Sequence, residues 1–172
     1  MDYEFGDIIN AIQTDCEHFI LIFGLDDKDR VLYKIITSKI YRAFDVLCDF
    51  FNNYCIGDKC SRKRFYHKFQ NRQNKNDEIQ AVNLSDVFFL NKEDYMGYLS
   101  DDSMVIINSD LKIMDLEVLN RYKRQGLAHY ASRLSKEDTD RLYIHLKTSK
   151  HISGLNLNAI GKSFNAYKRS LR

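Results

Sequence analysis

The stretch Glu4-Phe5-Gly6-Asp7-Ile8-Ile9-Asn10-Ala11-Ile12-Gln13-Thr14-Asp15-Cys16-Glu17-His18-Phe19-Ile20-Leu21-Ile22-Phe23 decides the fold. Within it Ile8, Ile12, Cys16, Phe19 and Phe23 recur at steps of three and four residues, the spacing of an apolar stripe on a helix with 3.6 residues per turn. That spacing predicts an amphipathic helix over 4–23. The last five residues admit a second reading, as a strand that turns at Asp26-Asp27 and returns through Val31–Ile36.

Working outward, Ser38 is placed as the N-cap of a helix lined by Ile40, Phe44, Leu47 and Phe51 and stopped near Gly57. Short helices are expected over Leu84–Leu99, with Asn91 as a cap three residues before Asp94. Met104–Ile107 and Ile113–Leu119 bracket Asn108-Ser109-Asp110 and are expected to pair as a small hairpin. From Leu119 onward the pattern predicts helices, one through Tyr130–Leu134, one capped by Ser135 with Asp138 three residues on, and one after Ser153-Gly154. The expected class is therefore mainly α, with a minor β-hairpin near 104–119 and a helix-turn-helix-like C-terminus. The polar run Gln70–Gln80 suggests a division into a helical domain over 1–75, a linker and small subdomain over 76–118, and a helical region over 119–172.

Composition bounds the function. The 172 residues are 44% apolar, enough for a buried core, and 26 Lys/Arg against 24 Asp/Glu leave a net charge of +2. So small an excess means that affinity for nucleic acid must come from local clusters of charge. There is no proline and no tryptophan, and there are seven glycines, a composition that permits long helices. Four cysteines without a charged-then-apolar leader predict a cytoplasmic, reducing setting, and no apolar run approaches the roughly 20 residues that span a bilayer. No membrane association is expected.

Two segments concentrate positive charge. From Lys59 to Asn76 no acidic residue occurs, while Arg62, Lys63, Arg64, Lys68, Arg72 and Lys75 interleave with Phe65, Tyr66 and Phe69. On a helix Arg64, Lys68 and Arg72 would stack along one side. At the C-terminus Ile160, Gly161, Phe164, Asn165 and Leu171 follow in the order and spacing of a helix-turn-helix, with Asn165 at the position that tolerates positive φ. In that register Tyr167, Lys168, Arg169 and Arg172 project from the second helix toward phosphates or base edges, and Arg172 lies about one and a half turns into it.

Together these segments resemble the layout of short sigma-70-like transcription factors, including the competence-type ones. The resemblance implies a promoter-melting helix at Arg62–Arg72, in which Phe65 and Tyr66 stack on unpaired bases while Arg64, Lys68 and Arg72 hold the backbone. It also implies a DNA-reading motif within Leu134–Arg172, and DNA and RNA polymerase as partners. The function expected is that of a nucleic-acid-binding transcription regulator of sigma-like or phage and mobile-element type. The alternative is a protein-interaction module or inhibitor whose basic and aromatic surfaces meet an acidic partner protein.

A third reading centres on Val118–Ala128, where Arg121, Lys123, Arg124, Gln125 and Gly126 resemble the acyl-coenzyme A loop of GNAT acetyltransferases. That resemblance implies backbone N–H groups at a helix N-terminus cradling a pyrophosphate. No catalytic site is expected: the five histidines are scattered, and no serine or cysteine has a base at a recognisable spacing. Cys48, Cys55, Cys60 and His67 lack the paired spacing of a zinc site, so neither metal nor cofactor is expected. Asp26-Asp27 and Asp101-Asp102 are assigned to turns.

Overall fold

The computed structural model describes residues 3–13, 16–37, 86–95, 97–100 and 103–171. The first strands come from the stretch quoted above: β1 (Asp7–Gln13), β2 (Cys16–Leu25) and β3 (Arg30–Thr37). They continue into β4 (Val87–Leu90), β5 (Ser103–Ile106), β6 (Lys112–Asp115), helix α1 (Leu116–Arg124), β7 (Ala128–Arg133), α2 (Lys136–Thr148) and α3 (Gly154–Ser170). The expectation of a mainly α protein is thereby overturned. Seven strands, all paired antiparallel in the described registers, stand beside three α-helices among the described residues.

The helix expected over 4–23 is instead two strands of a hairpin, with Ile8 opposite Leu21 and Ile9 opposite Ile20. The physical reason is burial on both faces of the sheet. Strands covered on both sides read as continuous apolar runs, and any such run contains residues at helical steps by arithmetic alone. Ile9, Ala11, Ile20, Ile22, Val31 and Tyr33 form one buried face with Leu119 of α1. Alternation turns Ile8, Leu21 and Leu32 to the other, and all three are fully buried.

The chain divides into two compact units, Met1–Ile36 with Ser109–Arg172, and Thr37–Asn108. In the first, the strand order is β6-β3-β2-β1-β7. The turn between β2 and β3 falls at Asp26-Asp27, as the sequence indicates. The Asp26 carboxylate accepts from the Lys28 and Arg30 backbone N–H groups at 2.9 Å, and Asp29 takes the left-handed conformation at φ 55°.

On the second face α2 and α3 bring an aromatic cluster. Phe5 meets Phe23, Tyr143 and Phe164 edge-on, and Tyr143 stacks on Phe164 with ring centroids 3.9 Å apart. Helix α3 buries Asn156, Ala159, Ile160, Phe164 and Tyr167, a stripe at helical steps. It passes so close to β2 that a Cβ on Gly24 would collide with Ser163. Both helix starts follow the sequence: Ser135 Oγ accepts from the Asp138 N–H at 3.1 Å, and Ser153 Oγ from the Asn156 N–H at 3.3 Å.

Other expectations need correction. α3 is one continuous helix through Asn165, which has no positive φ, so the helix-turn-helix is absent. The side chains that suggested a helix crossing, Ile160 and Phe164, are buried along that one helix. Tyr130–Leu134, expected as helix, is mostly strand β7. Met104–Ile107 and Ile113–Leu119 do not form the expected hairpin: β5 pairs with β4, β6 pairs with β3, and Leu116 opens α1.

In the second unit β4 and β5 form an antiparallel pair, with Phe88 opposite Val105. The short helices expected over Leu84–Leu99 are replaced by β4 and a 3-10 turn at Lys92–Tyr95, whose Glu93 N–H bonds Asn91 Oδ1 at 3.2 Å. The helix expected from Ser38 to Gly57 and the boundary at Gln70–Gln80 lie outside the described residues.

Candidate nucleic-acid interface

Helix α1 ends in Arg121, Lys123 and Arg124, all exposed, where cations complement the negative end of the helix dipole. The chain then reverses at Gly126, φ 72°, with the Leu127 N–H donating to Tyr122 O at 2.8 Å and the Gly126 N–H to Lys123 O at 3.1 Å. These donors are consumed in closing the helix. The acyl-coenzyme A cradle is therefore not built: Gly126 follows a helix C-terminus, and its N–H points back at carbonyls rather than out at an anion.

The reversal feeds β7, which pairs with β1. Ala128 faces Ala11 and Tyr130 faces Ile9, then the register shifts, so that Ser132 faces Ile8 and Arg133 faces Asp7. Tyr130 and Arg133 are three residues apart and would point to opposite faces of a regular strand. The bulge inserts one residue and returns both to the face that carries Asp7 and Ile9.

There Arg133 is held by two carboxylates. Its Nε donates to Asp7 Oδ1 at 2.7 Å, and Nη1 lies 2.6 Å from Glu4 Oε2. Asp7 Oδ2 in turn accepts from the Glu4 backbone N–H at 2.8 Å, so both oxygens of that buried carboxylate are occupied. The guanidinium also lies over the Tyr167 ring, 5.9 Å from its centroid. Burial by itself would lower the Arg133 pKa, but Asp7 and Glu4 more than reverse this and raise it. Burial, helped by the Asp7 charge, raises the Tyr3 hydroxyl, which reaches Asn120 Oδ1 at 3.4 Å.

A cavity of about 300 Å³ opens at this corner, bounded by Tyr3, Glu4, Asp7, Lys123, Tyr130 and Arg133. Tyr130 is 48% exposed, and His129 beside it is exposed as well. An open polar groove along α1 is lined by Lys28, Arg121 and Arg124 and equally by Asp29, Asp115 and Glu117. Asp115 at the N-cap and Glu117 in the first turn share that groove with the cations, and Glu117 stands four residues before Arg121, on the same side of the helix.

No protein-family model, curated protein or solved structure matches this chain.

Arg62, Lys63, Arg64, Phe65, Tyr66, Lys68 and Arg72 lie outside the described residues, as does Arg172. At the C-terminus Tyr167 is buried beneath Arg133, and Lys168 Nζ binds both oxygens of Asp140 at 2.8 and 2.9 Å. Arg169 is exposed. Without the second helix of the motif, Tyr167 and Lys168 serve packing between α2, α3 and β7 rather than base readout.

Sequence reading missed Tyr3, Glu4, Asp7, His129, Tyr130 and Arg133. Asp7 and Arg133 are 126 residues apart, and only the β1–β7 pairing joins them. The cations of α1 were visible in the sequence, although as part of a different motif. Among the described residues no cluster of three or more metal-ligating side chains occurs, and no helix is long and apolar enough to cross a membrane.

Proposed function

We propose that this protein binds single-stranded nucleic acid across α1 and β7. The observation that carries this reading is the placement of exposed Arg121, Lys123 and Arg124 on a short helix whose neighbouring strand presents His129 and Tyr130 beside a cavity. Cations that track a phosphate backbone, next to an aromatic ring on which a base can stack, are the two parts that sequence-tolerant single-strand binding needs. Duplex reading by an inserted helix loses its basis with the helix-turn-helix. In this reading the protein is a nucleic-acid-binding regulator that works on unpaired strands, and the basic segment Arg62–Arg72 supplies further charge.

The test is fluorescence anisotropy with labelled single strands of about twelve nucleotides, in DNA and RNA versions, against a duplex of the same length. Single strands are expected to bind more tightly, with affinity falling as salt rises by a log–log slope of about −0.7 for each phosphate neutralised. Replacing Arg121, Lys123 and Arg124 together by alanine is expected to flatten that slope by about 2. A preference for the RNA version would indicate contact with the 2′-hydroxyl. Absence of binding at low salt, or an unchanged slope in the triple variant, overturns the reading.

A further inference from the structure

We infer that Ser109 and Lys34 form a nucleophile and general-base pair that cleaves carboxylic esters through a covalent acyl-serine, an activity separate from nucleic-acid binding. Lys34 stands on β3, on the same face as Leu32 and Ile36, and is 6% exposed. Its Nζ lies 2.8 Å from the Oγ of Ser109, an exposed residue in the connection that leads into β6. A base shielded from water and a hydroxyl open to substrate, at hydrogen-bond distance from each other, are the two parts that a serine–lysine nucleophile requires. The two residues are 75 positions apart in the chain, so their pairing leaves no spacing signal in the sequence.

The surroundings suit Lys34 to the role of base. Burial foremost, and then the charge of Lys112 on β6, lower its pKa and outweigh the opposing charge of Asp110. A larger share of Lys34 is therefore the neutral amine, the form whose lone pair takes a proton. Asp110 is held elsewhere: its Oδ1 accepts from Asn156 Nδ2 and from the Leu111 N–H, both at 2.8 Å, and this ties the residue next to Ser109 to α3. In the first step neutral Lys34 takes the Oγ–H proton as Oγ bonds to the ester carbonyl carbon. The bond from that carbon to the alcohol oxygen then breaks, and the Lys34 ammonium returns the proton to the departing alkoxide. Water next attacks the acyl carbon and gives a proton to Lys34. The bond to Oγ breaks, Lys34 reprotonates Oγ, and the carboxylic acid leaves.

The experiment treats the full chain with an alkyl fluorophosphonate, which traps a nucleophilic serine as an Oγ–P bond forms and fluoride leaves, and locates the label by peptide mass spectrometry. Turnover of p-nitrophenyl acetate is followed in parallel. Ser109 is expected to be labelled about tenfold faster or more than any other serine of the chain. Ser109→Ala, a change at an exposed position, is expected to abolish both the label and the turnover. Lys34→Arg keeps a charged donor beside Ser109 but cannot accept a proton, and is expected to slow both reactions about 100-fold or more. Labelling of Ser109 no faster than that of other serines overturns the inference, as does a rate that Lys34→Arg leaves unchanged. Should Lys34→Arg not fold, as judged by its thermal transition, the labelling rate of the unaltered protein against pH decides. That rate is expected to rise with pH and to level off below about 10.4, the ordinary lysine value. A rise that continues past that value, as a serine without a base would give, overturns the pairing.

Discussion

Arg133 Nε and Asp7 Oδ1 meet at 2.7 Å across the β1–β7 pairing, and this contact ties the last strand of the sheet to the first. Only 4% of the Asp7 side chain is exposed, against 33% for Arg133, so the carboxylate depends on its partner more than the guanidinium does. Arg133→Met leaves the Asp7 charge with the Glu4 N–H and little water. After allowance for the half-buried state of the arginine, the expected loss is about 2–3 kcal/mol of unfolding free energy, seen as a lower denaturant midpoint at constant m-value. Asp7→Asn keeps the shape and the acceptor oxygen, and is expected to cost less. Equal losses would show that the charge of Asp7, and not its shape, holds the corner.

Gly24 and Ser163 form a second dependence between distant residues. Gly24 adopts φ 123°, and an added Cβ would strike the Ser163 side chain. Gly24→Ala is therefore expected to destabilise by roughly 2–4 kcal/mol, part backbone strain and part overpacking. In combination with Ser163→Gly only the steric share is expected to return, so a double-mutant cycle should give a coupling of about 1 kcal/mol or more. Strict additivity would place the whole cost in the backbone.

Acid is expected to weaken the first unit through two carboxylates. Burial alone would raise Asp26, yet hydrogen bonds from the Arg30 side chain and from the Arg30 and Lys28 backbones bring it below the ordinary value. Asp110 behaves alike: burial raises, while Asn156, Leu111 and Ser153 lower it to a net depression. A group whose folded pKa is depressed contributes stability above its unfolded pKa, about 3.9, and loses it as pH falls through the folded value. Stability should therefore decline from about pH 4 downward, and Asp26→Asn with Asp110→Asn should flatten that acid limb. An unchanged limb would assign acid sensitivity to other carboxylates.

The end of α3 carries a prediction that separates fold from motif. Lys168 is paired with Asp140 at partial exposure, and Arg169 is exposed on a helix with no second helix of the motif behind it. Lys168→Ala is expected to cost less than about 1 kcal/mol, as exposed ion pairs do. Lys168→Ala with Arg169→Ala should leave oligonucleotide affinity within about twofold, while changes at Arg121, Lys123 and Arg124 weaken it. The reverse ranking would return the interface to the C-terminus.

Several elements were legible because their signals are local. Ser135 and Ser153 cap their helices with side chains that reach three residues ahead, and Asp26 closes its turn within four residues. The strand Phe19–Phe23 was visible as an alternative, and its return through Val31–Ile36 is what the protein forms. Of the candidate interface, the sequence displayed the α1 cations. The pairing that brings Tyr130 and Arg133 to Asp7 left no local mark, because the bulge shifts the alternation that would have announced a strand.

What the sequence by itself determined is thus the local chemistry: caps, turns, a core of sufficient size and the absence of strong net charge. The tertiary structure decided whether the apolar residues between Ile8 and Phe23 lie on helix or sheet. Ile8, Ile9, Ile20, Leu21, Ile22 and Phe23 fall on both sides of their strands, and α1 on one face with α2 and α3 on the other makes the doubly covered sheet the state in which all six are buried. The same decision placed Asp7 beside Arg133 and so formed the cavity.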